Sequence, residues 1–144
     1  MKIVFVCTGN TCRSPMAESI SKKVLPASVE VVSRGVMAME GASTSESVYE
    51  LLEANSYPDP TKSASFKKVD LEADLILVMT HAHKEQLEHL YGPHSNIHVL
   101  NVFIEEPYEV QDPYGGSFET YERTFKQLES YIMKMKTKLA NDKA

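Results

Sequence analysis

The chain has 144 residues, with 42% hydrophobic and 24% charged side chains, enough to bury one core in one domain over residues 1–144. A net charge of −5 excludes non-specific nucleic-acid binding, which needs a basic face. No apolar run approaches the length of a membrane span, and the run after Lys2 is too short for the core of a signal peptide, so the expected location is cytoplasmic.

Lys2 to Val6 is a short run of β-branched and aromatic residues and predicts a buried strand. Ser14-Pro15 predicts a helix start, with the serine hydroxyl at the N-cap and proline at the first helical position. Met16, Ala17, Ile20 and Val24 share one face of that helix, and Pro26 stops it. Val29 to Ser33 predicts a second strand, followed by a loop over Val36 to Ala42. Ser43 or Thr44 caps a second helix that turns Val48, Leu51 and Leu52 inward. A short helix is expected near Ser65 to Leu71. Asp74 to Met79 carries Leu75-Ile76-Leu77-Val78, suited to a central parallel strand.

His81 to Tyr91 predicts a helix with Leu87, Leu90 and Tyr91 facing in, ended by Gly92-Pro93. Ile97 to Val102 predicts a fourth strand, and Glu105 to Gly116 an acidic loop. Ser117 to Leu139 predicts a long amphipathic helix whose stripe (Phe118, Tyr121, Phe125, Leu128, Ile132, Met135, Leu139) either covers the sheet or forms a coiled-coil seam. The first alternative is favoured, with a monomer expected. Four alternations of strand and helix imply an α/β fold, an open parallel sheet with helices on both faces. Such sheets bind ligands at the carboxyl ends of their strands.

Cys7-Thr8-Gly9-Asn10-Thr11-Cys12-Arg13-Ser14 follows the first strand and opens the first helix. A loop entering a helix N-terminus points unpaired amides at one spot. Gly9 permits a backbone that turns several of them inward. Arg13 supplies a planar fork for two phosphate oxygens. Cys7 would lie beneath the phosphorus as a thiolate, with Ser14 donating to the sulfur and Asn10 holding the loop's shape. The ATP-binding loop is excluded, because it needs Gly-Lys before Ser or Thr. An isolated cysteine at a strand end would be read as a core thiol; the glycine, the arginine and the Ser-Pro helix start favour catalysis.

Val6 through Pro15, with Ala17-Glu18 following, resembles the signature of low-molecular-weight protein tyrosine phosphatases, and Asp112-Pro113-Tyr114 resembles that family's general-acid motif. The resemblance covers nearly the whole chain. It implies a four-stranded parallel sheet in the order 2-1-3-4, helices on both faces in three layers, no metal or organic cofactor, and hydrolysis through a phosphocysteine intermediate. Cys7, Arg13 and Asp112 would be catalytic, and Thr8, Gly9, Asn10, Thr11, Cys12, Ser14 and Tyr114 would form the substrate site. Independently of the resemblance, two Asp-Pro pairs offer a proton donor for the leaving group. Asp59 precedes the third strand and belongs to the wrong end of the sheet. Asp112 follows the fourth strand, on the edge that carries Cys7, and Gly115-Gly116 would let its loop move.

Ser33 ends the second strand on the same edge. The resemblance gives it a supporting role beneath Asn10; the alternative is a plain strand-end serine. Cys12 is either a redox partner that forms a disulfide with Cys7 or a small residue packed under the loop. Tyrosine-specific relatives carry an aliphatic residue where this chain has Thr11, which instead resembles the bacterial protein-arginine-phosphatase branch. A threonine hydroxyl would hydrogen-bond a guanidinium, and Glu105, Glu106, Glu109 and Asp112 would attract a cationic substrate, the alternative for most of the glutamates being a solvated face. The expected partners are phosphorylated proteins, phosphoarginine before phosphotyrosine, with neither nucleic acid nor membrane. An arsenate reductase would need a further relay cysteine, and a non-enzymatic phosphate-binding domain would have no need for both nucleophile and acid. A metal site is disfavoured by the spacing of the histidines, which are read as polar surface residues.

Overall fold

The computed structural model describes residues 1–142. Four strands, β1 (Lys2–Cys7), β2 (Glu30–Gly35), β3 (Leu75–Val78) and β4 (Ile97–Val99), form one parallel sheet in the order β2-β1-β3-β4. Side chains alternate across β1. Ile3, Phe5 and Cys7 enter one core with α1 (Arg13–Val24), α2 (Glu46–Ala54) and α5 (Phe118–Asp142). Val4 and Val6 enter the other, against α3 (His81–Tyr91) and Phe66. The central strands are buried on both faces, which is why β3 reads as the unbroken apolar run Leu-Ile-Leu-Val.

The long terminal helix covers the sheet. Tyr121, Phe125, Leu128, Ile132 and Met135 are all buried in the first core. Fully burying each aliphatic or Phe side chain of this stripe stabilises the fold by roughly 1.5–3 kcal/mol before chain entropy is counted. Phe118, at the start of the stripe, is exposed. Among the described residues no helix is long and apolar enough to cross a membrane.

Several elements depart from the sequence expectation. The second strand continues to Gly35, because Cys7 of β1 pairs with it in register. The second helix is preceded by Ser45, not Ser43 or Thr44, and no side chain caps it. The short helix near residue 70 is a 3₁₀ turn over Lys68–Glu72. The fourth strand stops at Val99, and the chain turns into α4 (Leu100–Phe103). Leu100 and Ile104, one helical turn apart, both reach the core, whereas Val102 is exposed. Leu90 likewise points to solvent, leaving Leu87 as the buried anchor of α3 and Tyr91 half-buried beside Phe66.

Candidate active site

Cys7 is the last residue of β1 and Arg13 the first of α1, so five residues cross from strand to helix at the carboxyl edge of the sheet. Cys7, Thr8, Gly9, Thr11, Cys12, Arg13, Asp112 and Tyr114 line a pocket of about 270 Å³ there. The loop's carbonyls turn to neighbouring segments. Those of Cys7 and Thr8 accept from the amides of Val36 and Met37, both at 2.9 Å, and that of Thr11 accepts from Ser45 N at 3.0 Å. Among the described residues, the amides of residues 9–12 have no backbone carbonyl partner. The loop thus presents free donors at the start of a helix, the arrangement that binds an anion.

Asn10, not Gly9, makes the tight turn. Asn10 is fully buried with a left-handed backbone at φ 55°, a conformation asparagine tolerates better than most side chains, whereas Gly9 has no positive φ. Three bonds hold Asn10: Oδ1 accepts from Ala64 N at 2.9 Å, its carbonyl accepts from Ser63 Oγ at 2.7 Å, and Nδ2 donates to Ser14 Oγ at 2.8 Å. Ser14 is therefore not the helix cap expected of it. Cys12 occupies the N-cap position but its side chain does not cap the helix amides, and the Ser14 hydroxyl lies 2.9 Å from Cys7 Sγ. Gly35 enters for a different reason. A Cβ there would sit 2.5 Å from the Thr8 carbonyl oxygen and 3.0 Å from Asn10 N, so the end of β2 can lie against the loop only without a side chain.

The Arg13 side chain is buried and reaches the loop after α4: Nη1 donates to the Val110 carbonyl at 3.4 Å, and Nη2 lies 3.6 Å from Asp112 Oδ2. Asp112 itself is half exposed, and its Oδ1 accepts from Tyr114 N at 3.0 Å. Tyr114 stands at the pocket wall, 78% exposed. The glutamates of the acidic loop do not line the pocket. Glu106 pairs with Lys134, and Glu109 accepts from the His81 amide and ring. These bonds hold the Glu109 carboxyl below its ordinary value, the His81 amide first and the His81 ring second. Asp112 is the one acid among the lining residues.

Cys7 and Cys12 are both free thiols. Cys12 Sγ lies 3.1 Å from Ser45 Oγ and 3.6 Å from the Tyr121 hydroxyl. Burial, then the bond to Cys12, raises the Tyr121 phenol above its usual range. The Ser33 hydroxyl does not bond Asn10. It donates to Glu18 Oε1 at 2.5 Å, because its strand position faces α1 rather than the loop. Glu18, absent from the expected site, is a fully buried carboxylate that also bonds Lys22, Thr61 N and Thr61 Oγ1.

The histidines divide. His81 is on the surface, but His83 is 3% exposed and lies against the loop after β1, with Nε2 2.8 Å from Thr8 Oγ1. Its reading as a surface residue is corrected: the first turn of α3 begins at the carboxyl end of β3, beside β1, and so points residue 83 at the loop. A helical position five residues after a strand end, with Thr80 three before it as a cap, is the signal that could have found it. Among the described residues no group of three or more metal-ligating side chains converges.

A cysteine-bearing loop at a strand end, with a buried arginine closing it, is the arrangement of a cysteine-based phosphatase on a doubly covered parallel sheet. The sequence profile described as low molecular weight phosphotyrosine protein phosphatase matches residues 2–144, and the chain belongs to that family. Its relatives include the low molecular weight protein-tyrosine-phosphatase PtpB of Staphylococcus epidermidis, 45% identical over 138 residues, or 96% of this chain and 99% of that protein. The YwlE arginine phosphatase of Geobacillus stearothermophilus superposes with a TM-score of 0.93 at 33% identity, over 98% of this chain and 94% of that one. A YwlE arginine phosphatase variant with serine for cysteine, carrying a phosphorylated active-site serine, matches with a TM-score of 0.93 at 32% identity, over 99% and 97% of the two chains.

Proposed function

We propose that this chain is a protein-arginine phosphatase that works through a phosphocysteine at Cys7. In the first step the Cys7 thiolate attacks phosphorus in line with the leaving group. The S–P bond forms, the P–N bond breaks, and Asp112 gives its proton to the departing guanidine nitrogen. In the second step the Asp112 carboxylate takes a proton from water, whose oxygen attacks phosphorus. The S–P bond breaks and inorganic phosphate leaves. Throughout, the Arg13 guanidinium and the free loop amides would hold the phosphoryl oxygens.

The observation that carries the phosphatase reading is the convergence of Cys7, Arg13 and Asp112 on one pocket. Thr11, on its wall, favours phosphoarginine: its hydroxyl is engaged only weakly, 3.7 Å from Cys12 Sγ, and remains able to bond a polar guanidinium. The YwlE neighbours, described as arginine phosphatases, support the same substrate. Phosphotyrosine is the second reading, favoured by the similarity to PtpB and by the exposed Tyr114 ring at the wall, a surface for a phenyl group.

Hydrolysis of matched phosphoarginine and phosphotyrosine peptides by wild type, Thr11→Ile and Cys7→Ser tests both levels. Cys7→Ser is expected to lose both activities. Thr11→Ile is expected to shift the kcat/KM ratio toward phosphotyrosine by roughly 10–100-fold, the scale on which one polar-for-apolar change discriminates. An unchanged ratio removes the arginine assignment and leaves the phosphatase standing.

A further inference from the structure

One buried titratable side chain faces the catalytic loop without a part in the reaction above. His83 uses both ring nitrogens: Nε2 lies 2.8 Å from Thr8 Oγ1, and Nδ1 lies 3.0 Å from Thr80 Oγ1. The two tautomers of the ring run this chain of hydrogen bonds in opposite directions. Thr80 Oγ1 already accepts from the His83 amide at 3.3 Å, and a hydroxyl has one proton to give. If Thr80 gives that proton to Nδ1, the ring carries its own proton on Nε2 and donates it to Thr8 Oγ1. Every donor from Thr80 to Thr8 then has an acceptor, and the Thr8 hydroxyl proton is left for the pocket that Thr8 lines. The opposite tautomer would fill both lone pairs of Thr80 Oγ1, leave the Thr80 proton without an acceptor among the described contacts, and tie the Thr8 proton to the ring.

We propose that His83 is a positioning residue: as a neutral, Nε2-protonated imidazole it holds the Thr8 hydroxyl so that its proton is offered to an oxygen of the bound phosphoryl group. This rests on the phosphatase reading. It adds a side-chain donor to the loop amides and Arg13. The surroundings keep the ring neutral. Burial, then the Arg13 guanidinium, push His83 down to about 4, against smaller opposing effects of Asp112 and Glu109. A hydroxyl held from one side by a buried ring needs no reorganisation when the phosphoryl group arrives, which is the condition under which such a donor helps most.

Steady-state hydrolysis of a phosphorylated peptide by wild type, Thr8→Val, Thr8→Ser, His83→Gln and the double variant His83→Gln/Thr8→Val tests the proposal, together with long-range ¹H–¹⁵N spectra of the imidazole. A hydrogen bond to a charged group predicts that Thr8→Val and His83→Gln each lower kcat/KM by roughly tenfold or more, while Thr8→Ser stays near wild type. The double variant should be no worse than the poorer single one, since the ring acts only through that hydroxyl. Losses that multiply make His83 an independent brace and overturn the proposal, as does a Thr8→Val enzyme of unchanged kcat/KM. The spectra need no activity: an Nε2-protonated ring is expected near neutral pH, and an Nδ1-protonated ring overturns the proposal. A wild type without Cys7-dependent hydrolysis overturns the phosphatase reading itself, an outcome distinct from an active enzyme whose losses multiply.

Discussion

The Asn10 side-chain amide donates to the Ser14 hydroxyl at 2.8 Å, and so determines where the Ser14 proton goes. One lone pair of Ser14 Oγ is occupied, and the proton is shared between Cys7 Sγ at 2.9 Å and the Arg34 carbonyl at 3.3 Å. The shorter contact is to the sulfur. A β2 carbonyl and a loop asparagine therefore orient the hydroxyl that faces the Cys7 sulfur.

Ser14→Ala removes that donor from the sulfur that carries the charge in the proposed mechanism. The expected result is a fall in kcat of roughly 10–100-fold with the fold intact, since a hydrogen bond to a charged group is worth about 1.5–3 kcal/mol. Stopped-flow measurement of the first turnover reads it directly. An unchanged first-turnover rate would show that Ser14 serves the Arg34 carbonyl instead.

Gly35→Ala should damage the enzyme more than Gly9→Ala, although only Gly9 lies within the motif. The new Cβ at residue 35 would meet the Thr8 carbonyl at 2.5 Å, while at residue 9 it meets only Thr11 Oγ1 at 3.6 Å. Overpacking against backbone costs about 1–3 kcal/mol and would move the loop. Thermal melts and kcat/KM of the two variants decide the order, and a Gly9→Ala enzyme worse than Gly35→Ala contradicts it.

Asp112→Asn should lower kcat on poor leaving groups by roughly 10²–10⁴-fold, the usual contribution of a positioned acid. The deficit should shrink along a series of aryl phosphates as the leaving phenol becomes more acidic, because a good leaving group needs no proton. A constant deficit along the series would assign Asp112 to holding Arg13, 3.6 Å away, rather than to proton transfer.

Stability should fall as the solution is acidified. His83 is depressed from 6.5 to about 4 in the folded chain, by burial first and Arg13 second. The unfolded chain therefore binds more protons in that interval, so the folded state loses ground as pH falls from about 6.5 toward 4, by up to about 3 kcal/mol. His98 is lowered too, again mainly by burial, and acts in the same direction. Urea unfolding at pH 7 and pH 4.5 should show a smaller drop in His83→Gln than in wild type. Equal drops would mean that His83 does not titrate differently on folding.

Glu18→Ala should destabilise the fold by about 3 kcal/mol, because it leaves the Ser33 and Thr61 hydroxyls and Lys22 without their buried carboxylate. Thermal denaturation checks this, and a variant as stable as wild type would show that these groups find other partners.

The sheet and the loop were legible in the sequence because each is written locally. The apolar run of β3 reports burial on both faces, and the Cys7–Ser14 segment reports a strand end, an anion-binding turn and a helix start within a few residues. The strand order was legible only through the family resemblance. Errors fell where a local signal competed with a tertiary one. Ser14-Pro15 has the composition of a helix cap, yet the serine hydroxyl serves the sulfur of Cys7. Val102 looks like strand, yet the burial of Leu100 and Ile104 bends the chain into a helical turn.

By itself the sequence determined that the strand-end cysteine, the arginine that follows it at the helix start and the aspartate after the fourth strand share one sheet edge, because chain order along a parallel sheet dictates which loops meet there. Tertiary structure alone decided the partners that meet across it: His83 with Thr8, Ser33 with Glu18, and Gly35 against the Thr8 carbonyl. Those contacts join residues 15 to 75 positions apart. The separations carry no periodicity for a pattern to reveal, and the contacts exist only once the strands are in register.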